Sequence, residues 1–423
     1  MDTIDNTAPV DSFTRFCSNS GKFSLFVFLL LNFFGFTVPF QERYTDVADI
    51  TTSSPINQVV FSALYVLAFI SLLPKKHLVY QLIRTEKFLT IFLIWAFFTI
   101  FWSEVPLVSF KRWIRNFGMV LIIISGFLYL KSSEDVMQFF KAILSVYLTL
   151  SILSVLFVPG ATMENFSAWR GIAMHKNTLG QISLASLIIW CYAFYRGNLN
   201  SKLYALLFLG LSLILLIGSK STSAILTAMV LFAFVGFQFL DKKIFRHVVG
   251  GFISSIFFIT LFISFIFVLY LAQDFLSFVP ELFGKDLTFS GRIYLWKDVF
   301  IDAKTHLAFG CGFGGYWIVG SIAMDEIWIN HSKAFNQAHL GYLDLLNETG
   351  LIGFILFVCM IIYYLINLLK LKKTQFLSIF FISALVFNLQ ETSFFLPMNI
   401  TGVLFILSYL VLYINRVKST YDF

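Results

Sequence analysis

The sequence predicts an all-α membrane protein with about twelve transmembrane helices and one large, partly helical periplasmic loop. Hydrophobic residues make up 58% of the 423-residue chain and charged residues only 13%, whereas soluble domains are roughly 25% charged. The mean hydropathy is +0.84. This composition leaves too little polar surface to cover a water-soluble globule, so lipid is the expected solvent.

A spanning helix needs about 20 mostly apolar residues, and apolar runs of about this length recur along the chain. They lie near residues 23–40, 56–74, 88–103, 114–130, 136–158, 178–195, 203–218, 223–240, 248–273, 351–369, 376–390 and 397–414. The preceding tail carries Asp2, Asp5 and Asp11 against the single cation Arg15. Because a signal peptide begins with a basic segment, we expect the first run to be a retained helix.

Positive charge is concentrated in every second connector between these runs. The fifteen cations of this set are Lys75, Lys76, Arg84, Lys87, Lys131, Arg196, Lys202, Lys242, Lys243, Arg246, Lys370, Lys372, Lys373, Arg416 and Lys418. The short connectors of the other set hold roughly half as many, and cytoplasmic loops are the ones enriched in Lys and Arg. We therefore predict a bacterial inner-membrane protein with both termini cytoplasmic.

This orientation divides the chain into five parts. Residues 1–22 form a cytoplasmic tail, 23–273 helices 1–9, 274–350 the large periplasmic loop, 351–414 helices 10–12, and 415–423 a second cytoplasmic tail. A connection of about 75 residues far exceeds the usual length, and such loops are often functional. The loop is therefore the predicted location of the active site.

The loop has predicted structure of its own. Ser290 is the expected cap of an amphipathic helix lying on the membrane surface, with one face formed by Ile293, Trp296, Val299, Phe300 and Ala303. A plain glycine-rich turn follows at residues 310–315. A second helix is predicted from about Asn336 to Glu348, with Gly350 as its stop.

Three blocks carry the residues suited to chemistry, and all lie on the outer side in this topology. The first runs from Arg170 through His175, Lys176 and Asn177 to Gly180. The second is Ser290-Gly291-Arg292 with Trp296. The third contains His339, Tyr342, Gly350 and Gly353.

In order and spacing, these blocks resemble the O-antigen ligase/polymerase superfamily, integral-membrane glycosyltransferases that use undecaprenyl-diphosphate-linked glycans. The resemblance covers roughly residues 165–355, and the His175-Lys176-Asn177 block is most similar to the exopolysaccharide polymerase branch. Two positions depart from the family pattern. Leu340 follows the loop histidine where a polar residue is usual, and Lys220 stands in a Ser-rich turn where Arg is common.

The same residues suit transfer from a lipid diphosphate on chemical grounds. Arg170 and Arg292, with Lys176 or Lys220, are the candidates for binding the diphosphate, because cations hold phosphate oxygens as the group leaves. His339 is the candidate to orient or deprotonate the acceptor hydroxyl, since an imidazole titrates near neutral pH. No DxD-type motif occurs in the loop, so we expect no metal and no other cofactor.

The remaining candidates for substrate binding are His175 and two aromatic residues, Trp296 and Tyr342, that are suited to stacking on a sugar ring. Each candidate also has a structural interpretation. Arg170 and Lys176 flank a span where cations often reach lipid headgroups. Trp296 suits an interfacial anchor, His175 a solvated loop position and His339 a buried structural one. Glu348 is interpreted as a solvated residue at a helix end.

The predicted function is polymerisation of undecaprenyl-diphosphate-linked repeat units into exopolysaccharide or O-antigen, with a sugar of the next lipid-linked unit as acceptor. The alternative within this class is a ligase that transfers a finished glycan to lipid A core or another acceptor. A polysaccharide-related transporter is a further alternative, although the apolar runs lack mid-membrane charges, and a non-catalytic scaffold is the third class. No basic face interleaved with aromatic residues occurs, which argues against a nucleic-acid partner.

Overall fold

The computed structural model describes residues 12–35, 55–130, 132–163, 167–244, 292–318, 320–331, 335–370 and 376–421. The predicted span at 248–273 and the predicted cap Ser290 with Gly291 lie outside these ranges. The helices in chain order are α1 (Ser12–Phe34), α2 (Pro55–Leu72), α3 (Lys76–Thr85), α4 (Phe88–Thr99), α5 (Pro106–Tyr129), α6 (Ser133–Phe157), α7 (Lys176–Arg196), α8 (Leu199–Gly218), α9 (Thr222–Ile244), α10 (Arg292–Ala303), α11 (Ile322–His331), α12 (Gly341–Leu369), α13 (Ser378–Phe387) and α14 (Ile400–Tyr421). A two-stranded antiparallel hairpin pairs β1 (Thr162–Met163) with β2 (Ala168–Trp169).

Within the described ranges, seven helical segments are long and apolar enough to cross a membrane. They are Ser12–Phe34, Pro55–Thr85, Glu134–Phe157, Lys176–Arg196, Leu199–Gly218, Gly341–Leu368 and Ile400–Ser419. Three shorter apolar segments, Phe88–Trp102, Thr222–Ala233 and Ser378–Phe387, coincide with further predicted runs. The all-α membrane class is thereby confirmed, and the full number of twelve spans stays a prediction.

The last long helix, α14, lies at the centre of the bundle. Its side chains from Val403 to Ile414 are buried on every face, as expected for a helix that is apolar all round. It packs against α3, α5, α7 and α13. The outer helices instead leave large apolar side chains exposed, for example Val66 and Phe69 on α2, and these are suited to lipid contact.

Helix α1 begins at Ser12, eleven residues before the predicted start at residue 23. The hydropathy signal missed these three turns because most of their residues are polar or Gly, with only Phe13, Phe16 and Cys17 apolar. A Cβ atom at Gly21 would lie only 3.1 Å from the Ser125 carbonyl oxygen, so this part of α1 packs closely on α5. Small residues at a helix interface allow such an approach between membrane helices.

The helix ends sort into two sets that agree with the alternation of basic connectors. At one end, Lys418 donates to the Leu130 carbonyl at 2.6 Å, Arg416 to the Asn367 side chain at 2.7 Å, and the Lys75 ammonium lies 5.0 Å from the Tyr129 ring. The opposite end gathers the hairpin, the α8–α9 turn, the loop helices α10 and α11, and the start of α12. The connectors predicted to share a side therefore contact one another.

The described part of the large loop folds around a small core of its own, formed by Leu295, Val299, Tyr316, Trp317, Met324, Ile327, Phe335, Ala338 and Leu343. Helix α10 buries Leu295, Val299 and Ala303 in contact with α11 and α12. Of the face predicted to lie on the membrane surface, Val299 and Ala303 are buried within the loop, whereas Phe300 is exposed. The predicted amphipathic helix therefore packs its apolar side on the loop rather than on lipid alone.

The second loop helix was predicted to run from Asn336 to Glu348, and it instead begins at Gly341 and merges with the following span. Gly350 interrupts it with the non-helical angles φ 67° and ψ −174°. The glycine turn lies against this break, because a Cβ at Gly350 would lie 2.5 Å from the Gly310 nitrogen. Backbone N–H groups of Cys311 and Gly312 donate to carbonyls of Asn347 and Glu348 at 3.0 and 3.1 Å, which anchors the loop to α12.

Candidate active site

Side chains from four separate segments converge on one carboxylate, Glu391, in the connector between α13 and α14. Its side chain is only 5% exposed. Oε1 lies 3.2 Å from Arg292 Nη2, 3.2 Å from Ser223 Oγ and 3.3 Å from Asn177 Nδ2. Oε2 lies 2.9 Å from His339 Nδ1 and 3.1 Å from Gln337 Nε2. The three sequence blocks and the Ser-rich turn therefore meet at this residue.

His339 lies outside the helix in which it was expected. It precedes α12 and has φ 54°, one of four positive values among the described non-glycine residues. Such a conformation costs of order 1–3 kcal/mol and persists where its surroundings enforce it, often at functional sites. Because Glu391 can only accept, we assign the proton on Nδ1 to the bond with Oε2. In this tautomer Nε2 carries a lone pair and can accept a proton.

Arg292 is held by two acceptors at the start of α10. Nη1 donates to the Gln390 carbonyl at 2.6 Å, and Nη2 pairs with Glu391. A cation in the first turn opposes the helix dipole, and these two contacts compensate for that cost. A guanidinium has five N–H donors, so the geometry leaves donors for a second anion. The side chain is 24% exposed.

The Ser-rich turn between α8 and α9 brings Lys220 beside the cluster. Lys220 has φ 47° and is exposed, while Ser219 and Ser221 on either side are buried. Gly180 allows this turn to approach α7, because a Cβ there would lie 2.6 Å from the Ser221 side chain. The turn is continuous with Ser223, which donates to Glu391.

The first block follows the β1–β2 hairpin. Arg170 donates through Nε to the Gly160 carbonyl, and its backbone N–H donates to the Ala161 carbonyl at 2.8 Å. His175 caps α7 by accepting from the Asn177 N–H at 3.2 Å. Desolvation of the imidazole by the surrounding protein lowers the pKa of His175, and the positive charge of Lys176 lowers this pKa further. His175 therefore serves as a helix cap beside the cluster, whereas Asn177 reaches Glu391 directly.

A second buried carboxylate, Asp344, holds the segments next to the cluster in place. It accepts from Trp317 Nε1 at 2.8 Å and from the Ala338 N–H at 3.1 Å, and Thr392 Oγ1 donates to it. Ala338 and Thr392 are the immediate neighbours of His339 and Glu391. Asp344 therefore fixes the backbone on both sides of the His339–Glu391 pair.

The two aromatic candidates have different surroundings. Trp296 donates from Nε1 to the Ala338 carbonyl at 2.8 Å, so it lies beside the segment that carries His339. Tyr342 instead donates to the Leu385 carbonyl at 2.9 Å and packs on Phe357 and Phe394. The structure does not bring Tyr342 into the cluster.

The expectation that Glu348 is a solvated helix-end residue was wrong. Its Oε2 accepts from the Gly314 N–H at 2.9 Å, and its backbone carbonyl accepts from Gly312. This side chain holds the glycine turn on α12. Its role in the structure is to shape the loop below the cluster.

The electrostatics of the site favour an ionised Glu391. Burial alone would raise the pKa of this carboxyl, but the hydrogen bond from His339 and the charge of Arg292 are among the causes that outweigh it and lower the pKa. Four cations, Arg170, Lys176, Lys220 and Arg292, belong to the segments that surround it. This end of the molecule is therefore suited to an anionic ligand.

Sequence reasoning missed Glu391, although a signal was present. The polar run Asn388 to Ser393 separates two apolar stretches near the C-terminus and contains a single carboxylate. Charged residues at such a position are costly to bury and often functional. The chain gives no periodicity that links residue 391 to residues 177, 223, 292 and 339.

Two comparisons with known proteins match parts of this chain. Residues 205–358 match the Wzy_C family, described as O-antigen ligase. The exopolysaccharide production protein ExoQ of Rhizobium meliloti (strain 1021) is 25% identical over 296 residues, which cover 66% of this chain and 64% of that protein. The match thus spans slightly less than two thirds of the relative's length.

These findings confirm the predicted resemblance to the O-antigen ligase/polymerase superfamily and to its exopolysaccharide branch. The matched family region contains Lys220, Arg292 and His339. The Arg170–Gly180 block and Glu391 lie outside it. The contacts of Glu391 therefore connect the matched region to two segments that flank it.

Proposed function

We propose that this chain is a membrane glycosyltransferase that polymerises undecaprenyl-diphosphate-linked oligosaccharide repeat units into exopolysaccharide or O-antigen. The observation that carries the proposal is the contact of His339 and Arg292 with one buried carboxylate, at 2.9 and 3.2 Å. A base and a cation are the two groups that this transfer requires, and here they share one cluster. The family match supports the same class of reaction.

In the proposed reaction, Nε2 of His339 accepts the proton of an acceptor sugar hydroxyl as its oxygen attacks the anomeric carbon of the donor. A new glycosidic bond forms, the bond from that carbon to the diphosphate oxygen breaks, and undecaprenyl diphosphate leaves. Glu391 holds the Nδ1 proton and stabilises the imidazolium that forms, as a carboxylate does beside other catalytic histidines.

Arg292 would bind the diphosphate through the N–H groups that Glu391 and Gln390 do not use. Arg170, Lys176 and Lys220 would add positive charge on the same side of the cluster. Charge-assisted contacts to phosphate are among the stronger hydrogen bonds, and a site away from bulk water strengthens them. Trp296 and His175 remain candidates for contact with the sugar or the lipid.

We place this site on the periplasmic side of the inner membrane. The support is the charge pattern, since the basic connectors gather at the helix ends opposite the cluster and such connectors are typically cytoplasmic. A soluble cysteine-reactive reagent can test the placement on the exposed Met174→Cys variant. We expect labelling in intact spheroplasts, and labelling only after lysis would contradict this placement.

The second candidate function is ligation of a finished glycan onto lipid A core or another acceptor. The observation that favours it is the O-antigen ligase description of the family matched by residues 205–358. Both reactions use the same donor and the same His339–Glu391 geometry. They differ only in the acceptor.

The glycan profile of a deletion strain tests both candidates. Loss of a polymerase leaves single-repeat products, whereas loss of a ligase leaves long chains on the carrier lipid. Plasmid-borne wild type should restore the profile, and His339→Ala and Arg292→Ala should not, although both proteins insert at normal abundance. An unchanged profile in the deletion strain would instead favour a transporter or scaffold, and normal glycans from both variants would remove the case for this site.

A further inference from the structure

A cavity lies at the end of the bundle opposite the Glu391 cluster, between α6, α7 and α8. Its volume is about 400 Å³, within the range of roughly 300–1,000 Å³ typical of ligand sites. The C-terminal part of α7 borders this cavity, whereas His175 caps the N-terminal end of the same helix. The cavity is lined on α7 by Trp190 to Arg196, and with a rise of 1.5 Å per residue from the start of α7 at Lys176 it lies about 20–30 Å from the candidate active site.

Two cations border this cavity, Lys141 from α6 and Arg196 from α7. Lys141 is 23% exposed and its ammonium lies 3.9 Å from Glu134, which is 57% exposed. That separation is too long for a hydrogen bond, and an ion pair with so exposed a partner contributes little. The ammonium is therefore available to a stronger anionic partner.

A buried donor borders the same cavity. Trp190 is 1% exposed, and within the described part of the chain its indole N–H has no hydrogen-bond acceptor. Buried N–H groups are rarely left unbonded. The hydroxyls of Ser145 and Tyr204 also border the cavity, but Tyr204 donates to Ser145 at 3.3 Å and Ser145 donates to the Lys141 carbonyl at 2.7 Å. The two cations and the indole N–H are therefore the groups that face an anion here, against the single carboxylate of Glu134.

The surroundings indicate a ligand that is partly apolar. Met137, Ala142 and Ala193 form apolar parts of the cavity wall, which also includes Glu134, Gln138, Tyr192, Gly197 and Ser201. Just beyond it, α6 exposes Val146 and Leu150. Helix α8 likewise exposes Leu203 and Leu207 on the neighbouring side. An acyl chain on these faces would place its headgroup at the two cations.

We propose that this cavity binds the phosphate headgroup of an anionic membrane phospholipid. Basic pockets between membrane helices bind anionic lipid headgroups on the cytoplasmic side, and this cavity lies at the basic helix ends. Lys141 and Arg196 contact the phosphate oxygens, and the Trp190 N–H donates to a headgroup oxygen. The proposal does not depend on the glycosyltransferase function of the other end.

Native mass spectrometry of the detergent-purified full chain tests this proposal. The protein is titrated with phosphatidylglycerol, with phosphatidylcholine of the same acyl chains, and with inorganic phosphate alone. We expect one tight phosphatidylglycerol adduct. In the Lys141→Gln/Arg196→Gln variant its affinity should fall about ten-fold or more, since each cation near an anionic headgroup contributes to binding.

The matched control is Lys202→Gln/Lys370→Gln, which removes two charges from the same end outside the cavity wall. It should keep the wild-type affinity, whereas Trp190→Phe, which keeps an aromatic ring, should lower it about three-fold through one lost hydrogen bond. An equal loss of phosphatidylglycerol affinity in the control would mean that surface charge alone causes the effect, and it would overturn the proposal. Equal binding of phosphatidylcholine, or displacement of the lipid by inorganic phosphate, would overturn it as well. If the double variant aggregates, Trp190→Phe alone decides, and unchanged binding there contradicts the assignment.

Discussion

Replacing Glu391 by glutamine tests the cluster with the smallest change in shape. The carboxylate accepts three bonds at Oε1 and two at Oε2. An amide keeps one oxygen and turns the other into a donor. Whichever way the amide lies, at least two donors of the cluster then face an NH₂ group instead of an acceptor.

The magnitude follows from those two bonds. Hydrogen bonds to a charged group contribute about 1.5–3 kcal/mol each, so the lower bound for two is about 3 kcal/mol. If the transition state experiences this loss, the rate falls roughly 100-fold, because each ten-fold corresponds to about 1.36 kcal/mol. Glu391→Asp keeps the charge and should recover part of the activity.

The assay is transfer by purified protein in proteoliposomes that contain an undecaprenyl-diphosphate-linked oligosaccharide. Glu326→Gln is the matched control, since it makes the same chemical change at an exposed position of α11. Size-exclusion profiles of all variants establish that they are folded. Wild-type transfer rates from a folded Glu391→Gln protein would refute the reasoning.

Three further predictions concern the supports of the site. Gly350→Ala should lower the thermal unfolding temperature of the detergent-purified protein, because φ 67° disfavours a side chain and Gly310 fills the space. The control Gly210→Ala should not lower it, since nothing lies within 4 Å of a Cβ at that position. Equal effects of the two substitutions would contradict the packing of Gly350 against Gly310. Asp344→Asn should slow transfer about ten-fold in a folded protein, since one supporting charge-assisted bond is lost, and unchanged transfer rates would remove its positioning role. Because the folded pKa of Glu391 lies below its ordinary value, its contribution to stability is complete above about pH 4.3 and is lost as the pH falls through the folded pKa. The difference in unfolding temperature between wild type and Glu391→Gln should therefore persist from pH 8 to pH 5, and its loss between pH 7 and pH 5 would contradict the ionised state.

Much of the helical framework follows from hydropathy, because each apolar run must satisfy its backbone internally in lipid. The Ser12 start of α1 did not follow, since packing of Gly21 on α5 rather than hydropathy extends that helix. The break at Gly350 was expected as a stop. That the helix continues past this break into the next span depends on the glycine turn that packs against Gly350. This is a contact between segments that are distant in the sequence.

The candidate site was predictable in its parts but not in its centre. Arg292 and His339 stand in recognisable blocks, so their chemistry and order pointed to one reaction class. Glu391 joins them only through the packing of α13 and α14 against the loop, and the chain carries no local pattern for that contact. Tyr342 is only three residues from His339 in the sequence, yet its side chain contacts Leu385, Phe357 and Phe394 instead of the cluster.

The most direct test of the central claim is release of undecaprenyl diphosphate by purified protein supplied with the lipid-linked repeat unit. Wild type should release one carrier lipid for each glycosidic bond formed, and His339→Ala should release none above background while retaining its folded size-exclusion profile. Equal release from wild type and a folded His339→Ala protein would contradict the claim that the imidazole paired with Glu391 drives transfer.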